Sequence, residues 1–350
     1  MTIYDEYEEI TKKYKAEYGE ATVVLIEVGS FYEIYSAGDG LVDIKGIAEL
    51  LNIQIARRNK SIPEISKSNF LMAGFPSFTL NKFVNTLVGT GYTVVLVSQV
   101  TPPPNPKRDV TDVISPGTCL ENVLSYDNNI LACVYVEMHG TIMSLGSACV
   151  DVTTGANFVF EALGTHGDPL APMDHLQRLV LRFNPSEVIL FGDLGCDQEK
   201  MILEVFGGGR RRCIHNKFNT FDKTMLKPSF QEAVLKEVYN MGAILFPTEF
   251  LGLERNNMAY SAFVVMVNFV RKHMEQAIKR IDKPVILEPN NELVINSTSS
   301  LQLDLPAFLE MYNCCKTPMG KRLFKQRVTS PMKQANDLCN SYDAVEKMHG

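Results

Sequence analysis

The residues best suited to chemistry on a partner are Phe31 and Glu33, two positions apart in Thr22-Val-Val-Leu-Ile-Glu-Val-Gly-Ser-Phe-Tyr-Glu-Ile-Tyr35, where an apolar run ends at a glycine. A phenyl ring can wedge into a base step from the minor groove and kink a duplex, and a nearby carboxylate can accept a hydrogen bond from a base edge. The competing reading of Phe31 is core, because large apolar residues at strand ends are mostly buried. Arg57-Arg58-Asn-Lys60, Lys107-Arg108 and Arg210-Arg211-Arg212 concentrate positive charge. Such groups either hold phosphates, fixing register without reading sequence, or form solvated surface loops. Arg57, Arg58 and Lys60 are the candidates for holding a nucleic-acid backbone.

Other chemistries find less to work with. A phosphate-binding loop needs G-x-x-x-x-G-K-[ST], and the chain has none. At Gly320-Lys321, Arg322 stands where Ser or Thr would hold magnesium and Cys315 where the first glycine belongs, while Gly207-Gly-Gly209 lacks the lysine. The eight cysteines show no C-x-x-C spacing, which argues for free thiols in a reducing compartment. Cys196, Cys213 and His215 lack a defined fourth ligand, so no metal site is expected. Glu137 and Asp151 fall near strand ends, where a nuclease would gather carboxylates around two metals, but Asp151 before Val-Thr-Thr-Gly155 also reads as a turn former.

These residues need elements to position them. The chain has 350 residues, 45% hydrophobic and 21% charged, with net charge −6, which describes two or three globular domains. No apolar run is long enough to span a bilayer, and the N-terminus shows no signal or transit pattern, so an intracellular site is expected. Tyr4, Tyr7, Ile10 and Tyr14 set a helical period over Ile3–Tyr18 that Gly19 stops. Strands are expected at Val23–Val28, Tyr92–Val97, Ile130–Glu137, Thr141–Asp151, Val152–Phe160 and Glu187–Phe191, and helices at Ile44–Leu51, Leu80–Val88 and Pro172–Phe183. The Pro-rich stretch Thr101–Pro106 must be a loop, Gly74-Phe75-Pro76 reads as a rigid turn, and from Leu251 the pattern becomes helical.

Three segments in order, Gly29-Ser-Phe-Tyr-Glu33, Met72-Ala-Gly-Phe-Pro76 and Ser115-Pro-Gly-Thr118, resemble the MutS mismatch-repair family. Arg182-Phe-Asn-Pro-Ser-Glu187, the Arg210–Arg212 run with Phe218 and Phe221, and Thr317-Pro-Met-Gly-Lys-Arg-Leu323 resemble later parts of it. The resemblance implies an α/β multidomain chain: a mixed α/β mismatch-recognition domain at 1–117, a ribonuclease H-like connector at 118–250, and the beginning of a mainly helical core or lever domain at 251–350. It assigns Phe31 as stacking wedge and Glu33 as partner of the displaced base, and gives Met72–Phe78 a supporting role. It also implies double-stranded DNA with mismatches as partner, a location at DNA, and a homo- or heterodimer formed through a C-terminal region. ATP and magnesium would act in an ATPase domain downstream, leaving no catalytic, metal or cofactor residue in this chain. The alternatives are a metal-dependent ribonuclease H-like nuclease and a DNA-independent interaction module.

Overall fold

The computed structural model describes residues 2–101, 106–119, 129–207, 212–239, 245–273, 281–287 and 302–349, with positions 278, 293, 295 and 299. The chain forms two compact units, one of residues 1–122 with 211–216, the other of 123–210 with 217–350.

The first unit opens with helix α1 (Ile3–Tyr18), started by a reciprocal cap between Thr2 and Asp5 and ended at Gly19, whose φ of +93° suits a residue without Cβ. There follow β1 (Thr22–Val28), β2 (Phe31–Ser36), α2 (Ile44–Leu51), β3 (Ile55–Arg57), β4 (Leu71–Pro76), a 3-10 turn at Ser77–Thr79, α3 (Leu80–Gly89), β5 (Thr93–Gln99) and β6 (Arg108–Ile114). The sheet order is β3-β4-β2-β1-β5-β6, with β1 and β5 parallel and the other pairs antiparallel. Val23–Ile26 and Val94–Val97 are buried because the central parallel pair is covered on both faces, which is why those strands read as unbroken apolar runs. Tyr7, Leu25, Tyr35, Phe70, Phe75 and Leu87 belong to one core.

The segment Gly74-Phe75-Pro76 corrects the sequence reading. It is not a turn but the end of a strand, paired across to Glu33, Tyr32 and Phe31. Proline is tolerated there because β3 pairs with β4 only at Leu71–Ala73, so at Pro76 the strand is an edge on that side.

The second unit contains β7 (Ile130–His139), β8 (Ile142–Asp151), β9 (Asn157–Leu163), α4 (Ala171–Phe183), β10 (Glu187–Asp193) and α5 (Cys196–Gly207). After the short strand β11 (Cys213–Asn216), grouped with the first unit, come α6 (Pro228–Val238), α7 (Pro247–Leu251), α8 (Asn257–His273), β12 (Val285–Ile286), α9 (Leu305–Tyr312), α10 (Pro318–Thr329) and α11 (Ala335–His349). The second unit's strands run in the order β10-β7-β8-β9-β12, again mixing parallel and antiparallel pairs.

Two expectations shift in this unit. Val152–Gly155 forms a turn rather than the start of a strand, because Asp151 accepts the Thr153 N–H at 3.0 Å and the Gly155 N–H closes back on the Asp151 carbonyl at 2.8 Å. Helix α8, which the sequence assigns to a helical domain beginning at 251, instead shares a core with β7 and β8. It is apolar around most of its circumference, with Ala262–Asn268 all buried, so it needs cover on several sides. The fit to the sheet is close: a Cβ at Gly146 would collide with the Met258 backbone, and Glu161 on β9 accepts the Met258 and Ala259 N–H groups at 2.9 and 3.1 Å. Among the described residues no helix is long and apolar enough to cross a membrane.

Candidate nucleic-acid interface

β1 turns into β2 through two residues, Gly29 and Ser30, with Gly29 at φ +62°. A side chain would strain that conformation. Phe31 is then the first residue of β2, and it is 45% exposed, whereas Tyr32 is 6% and Ile34 0% exposed. The ring is therefore presented rather than packed, and the core reading of Phe31 does not hold. Strand alternation places Glu33 and Tyr35 on the same face as Phe31.

Glu33 is half-buried, with Gly74 opposite it on β4. A Cβ at 74 would lie 2.8 Å from the Tyr32 carbonyl oxygen and 3.0 Å from Glu33 Cγ, so the glycine makes room for the Glu33 stem. The Tyr35 hydroxyl donates to Glu33 Oε2 at 2.5 Å. Tyr35 itself is buried, its ring 5.2 Å from that of Tyr7 and 4.6 Å from that of Phe70. Burial first, then the Glu33 hydrogen bond and charge, push the Tyr35 phenol well above its ordinary value, which keeps it a neutral donor. The sequence reading missed this tyrosine, since an aromatic at that position looks like one more core residue of the alternation.

Arg57, Arg58 and Lys60 are exposed at the end of β3 and in the loop that follows. The structure does not bring them beside Phe31. Phe31 pairs with Pro76 and Ser36 with Leu71, which in turn pairs with Arg57, so the arginines lie five residues along the strand direction. At the usual rise that is about 17 Å. Their loop is built rather than loose. Buried Asn69 donates through Nδ2 to the Ile62 and Glu64 carbonyls at 3.0 and 2.9 Å and accepts the Asn59 N–H at 2.8 Å. The Arg58 guanidinium sits 5.4 Å over the Phe70 ring.

At the Phe31 end of the sheet, register places the start of β6 beside the end of β5, so Lys107 and Arg108 come close to that edge. Lys107 is exposed. Arg108 is committed to the fold, donating through Nε to the Glu27 carbonyl at 2.9 Å and pairing with Glu6 at 3.6 Å. Phe78, just past Pro76, is 88% exposed, a second presented aromatic at that end which the sequence reading folded into a supporting segment.

The two carboxylates of the nuclease reading separate. Ile130 pairs with Asp151 and Glu137 with Ser144, so the two carboxylates of the nuclease reading lie near opposite ends of β7. Seven residues of strand amount to about 24 Å, far beyond the ~4 Å spacing of a two-metal centre. Asp151 is occupied by its turn, while Glu137 accepts from the Tyr135 hydroxyl and lies 3.5 Å from His139 Nε2. Cys213 Sγ and His215 Nε2 are buried 3.6 Å apart, and Cys196 is an exposed residue opening α5. Phe218 is buried and Phe221 stacks on Phe191 at 4.4 Å, so this aromatic pair is core. Arg210 and Arg211, Gly208 and Gly209, and Pro102–Asn105 lie outside the described residues.

Residues 3–123 match the family model described as MutS domain I. Across 99% of its length the chain is 29% identical to a DNA mismatch repair mutS homolog of Acanthamoeba polyphaga mimivirus, and across 96% it is 28% identical to the DNA mismatch repair protein MutS of Cytophaga hutchinsonii. The MutS of Phocaeicola vulgatus is 28% identical over 95% of the chain. The matches cover 35%, 37% and 36% of those proteins, so this chain spans about a third of the length of the curated relatives it matches.

Proposed function

We propose that this chain, similar over nearly all its length to MutS proteins, recognises mispaired duplex DNA, with Phe31 stacking into the mispaired step and Glu33 accepting a hydrogen bond from the displaced base. The observation that carries the reading is the 45% exposure of Phe31 on a strand whose next residues are core, with a carboxylate two positions on along the same face. Recognition of this kind reads deformability. A mispaired step is easier to unstack and kink than a paired one, so a wedge that must open the stack, at a cost of a few kcal/mol, favours the mispair without reading sequence. Arg57, Arg58 and Lys60 hold phosphates at a distance from the wedge and contribute affinity common to all duplexes. In this reading ATP and magnesium act at a nucleotide site outside residues 1–350, and the working form is a homo- or heterodimer at DNA.

The test is Phe31→Ala, with affinities measured for a duplex carrying one mispair and for its matched counterpart, alongside the melting temperature. Loss of the ring is expected to abolish the preference, since stacking on a base contributes about 1–3 kcal/mol, while stability changes by less than about 1 kcal/mol for so exposed a side chain. A retained preference, or a collapse of the melting temperature, would remove Phe31 from the site.

A further inference from the structure

Glu33 is held before any ligand arrives. Its Oε2 accepts from the Tyr35 hydroxyl at 2.5 Å, and its Cγ passes over Gly74, where even a methyl group would stand 3.0 Å away. Oε1 has no hydrogen-bond partner among the described residues. The donor is fixed in turn. Tyr35 is 2% exposed, wedged between Tyr7, whose hydroxyl donates to the Val24 carbonyl at 3.3 Å, and Phe70, which stacks on Tyr4 at 5.2 Å.

We propose that Tyr35 is a positioning residue for mispair discrimination: its buried hydroxyl pins one oxygen of Glu33 so that the other is presented, in a fixed orientation, to the base displaced beside Phe31. The inference rests on the role given to Glu33 above and goes beyond it by assigning the orientation to a particular donor. Two physical consequences follow. An unpinned carboxylate on a strand face samples several rotamers and must be ordered on binding, whereas the pinned one has already lost that freedom. A donor on Oε2 also draws charge from the carboxylate, moderating its repulsion by nearby phosphates on every duplex while leaving Oε1 able to accept.

The experiment is a double-substitution cycle on the protein carrying its full chain: Tyr35→Phe, Glu33→Ala and the two together. For each, the affinity ratio between a mispaired and a matched duplex is measured with the melting temperature. Phenylalanine keeps the ring between Tyr7 and Phe70, so the fold is expected to persist, and unchanged melting verifies it. Tyr35→Phe should lower the ratio about threefold to tenfold, the loss expected when one side chain must be ordered on binding instead of beforehand. On the Glu33→Ala background the same change should leave the ratio within about twofold, because the two residues act as one unit. If Glu33→Ala lowers the ratio and Tyr35→Phe does not, or if Tyr35→Phe acts equally with Glu33 absent, the positioning role is overturned. If Glu33→Ala leaves the ratio intact, the mismatch-sensing role of Glu33 itself fails.

Discussion

Replacing Glu33 by glutamine separates its charge from its capacity to hydrogen-bond. A carboxylate near phosphates is repelled by every duplex, and the penalty is recovered only where a displaced base offers a donor. Glu33→Gln should therefore raise affinity for matched DNA and erode the preference for a mispair, as titrations of both duplexes would show. Affinities unchanged for both would mean that the charge faces no phosphate. At this scale the sequence was informative for some residues and silent for others. Phe31 and Glu33 are visible because an aromatic and a carboxylate interrupt an apolar run at a glycine. Tyr35 is not, because its role depends on a hydroxyl reaching back two residues along a strand, and only the structure shows that the hydroxyl ends on Glu33 rather than on backbone.

Elements were legible where local signals agree. Helix α2 runs Ile44–Leu51 as its apolar spacing predicts, and α1 stops at the glycine that marks its end. Reading failed where long-range pairing overrides local punctuation, as at Gly74-Phe75-Pro76, which β2 recruits as a strand partner. That pairing makes Gly74 a sensitive position. A methyl there meets the Tyr32 carbonyl oxygen at 2.8 Å, backbone that cannot rotate away, so Gly74→Ala should destabilise the first unit by about 1–3 kcal/mol and displace Glu33. Chemical denaturation together with the mispair ratio tests both parts, and an unchanged ratio would show that Glu33 tolerates the shift.

Helix α4 supplies a second element-scale prediction. His175 lies beside the Arg178 guanidinium and 4.7 Å from the Phe160 ring, and burial first, then the arginine charge, lower its pKa from 6.5 to about 4. The unfolded chain therefore binds a proton that the folded helix resists between those values. The stability associated with neutral His175 is complete above pH 6.5 and is lost as pH falls toward 4. Across that range the melting temperature of the wild type should fall more steeply than that of His175→Gln as the pH drops, and parallel curves would remove His175 from the acid sensitivity.

At the scale of the molecule, the proposed binding of a polyanion has to be reconciled with a net charge of −6. Phosphate binding depends on local cations that release counterions, and total charge does not decide it. Sequence alone shows that Arg57, Arg58 and Lys60 are clustered. It does not show that sheet register separates them from Phe31 by five residues of strand, because that depends on β3 pairing with β4 and β4 with β2. The separation makes a prediction that adjacency would not. Residues about 17 Å from the wedge cannot sense whether a base is displaced, so they should contribute equally to matched and mispaired complexes. Arg57→Ala combined with Arg58→Ala should weaken both by similar factors and reduce the slope of log affinity against log salt by about 0.9 for each phosphate no longer neutralised. Asn69 is the internal control. It holds their loop through three hydrogen bonds without reaching the surface, so Asn69→Ala should mimic the arginine double variant in kind but to a smaller extent. A loss confined to mispaired duplexes would place these arginines at the lesion, and absence of salt-dependent duplex binding already in the wild type would favour an interaction module that does not bind DNA.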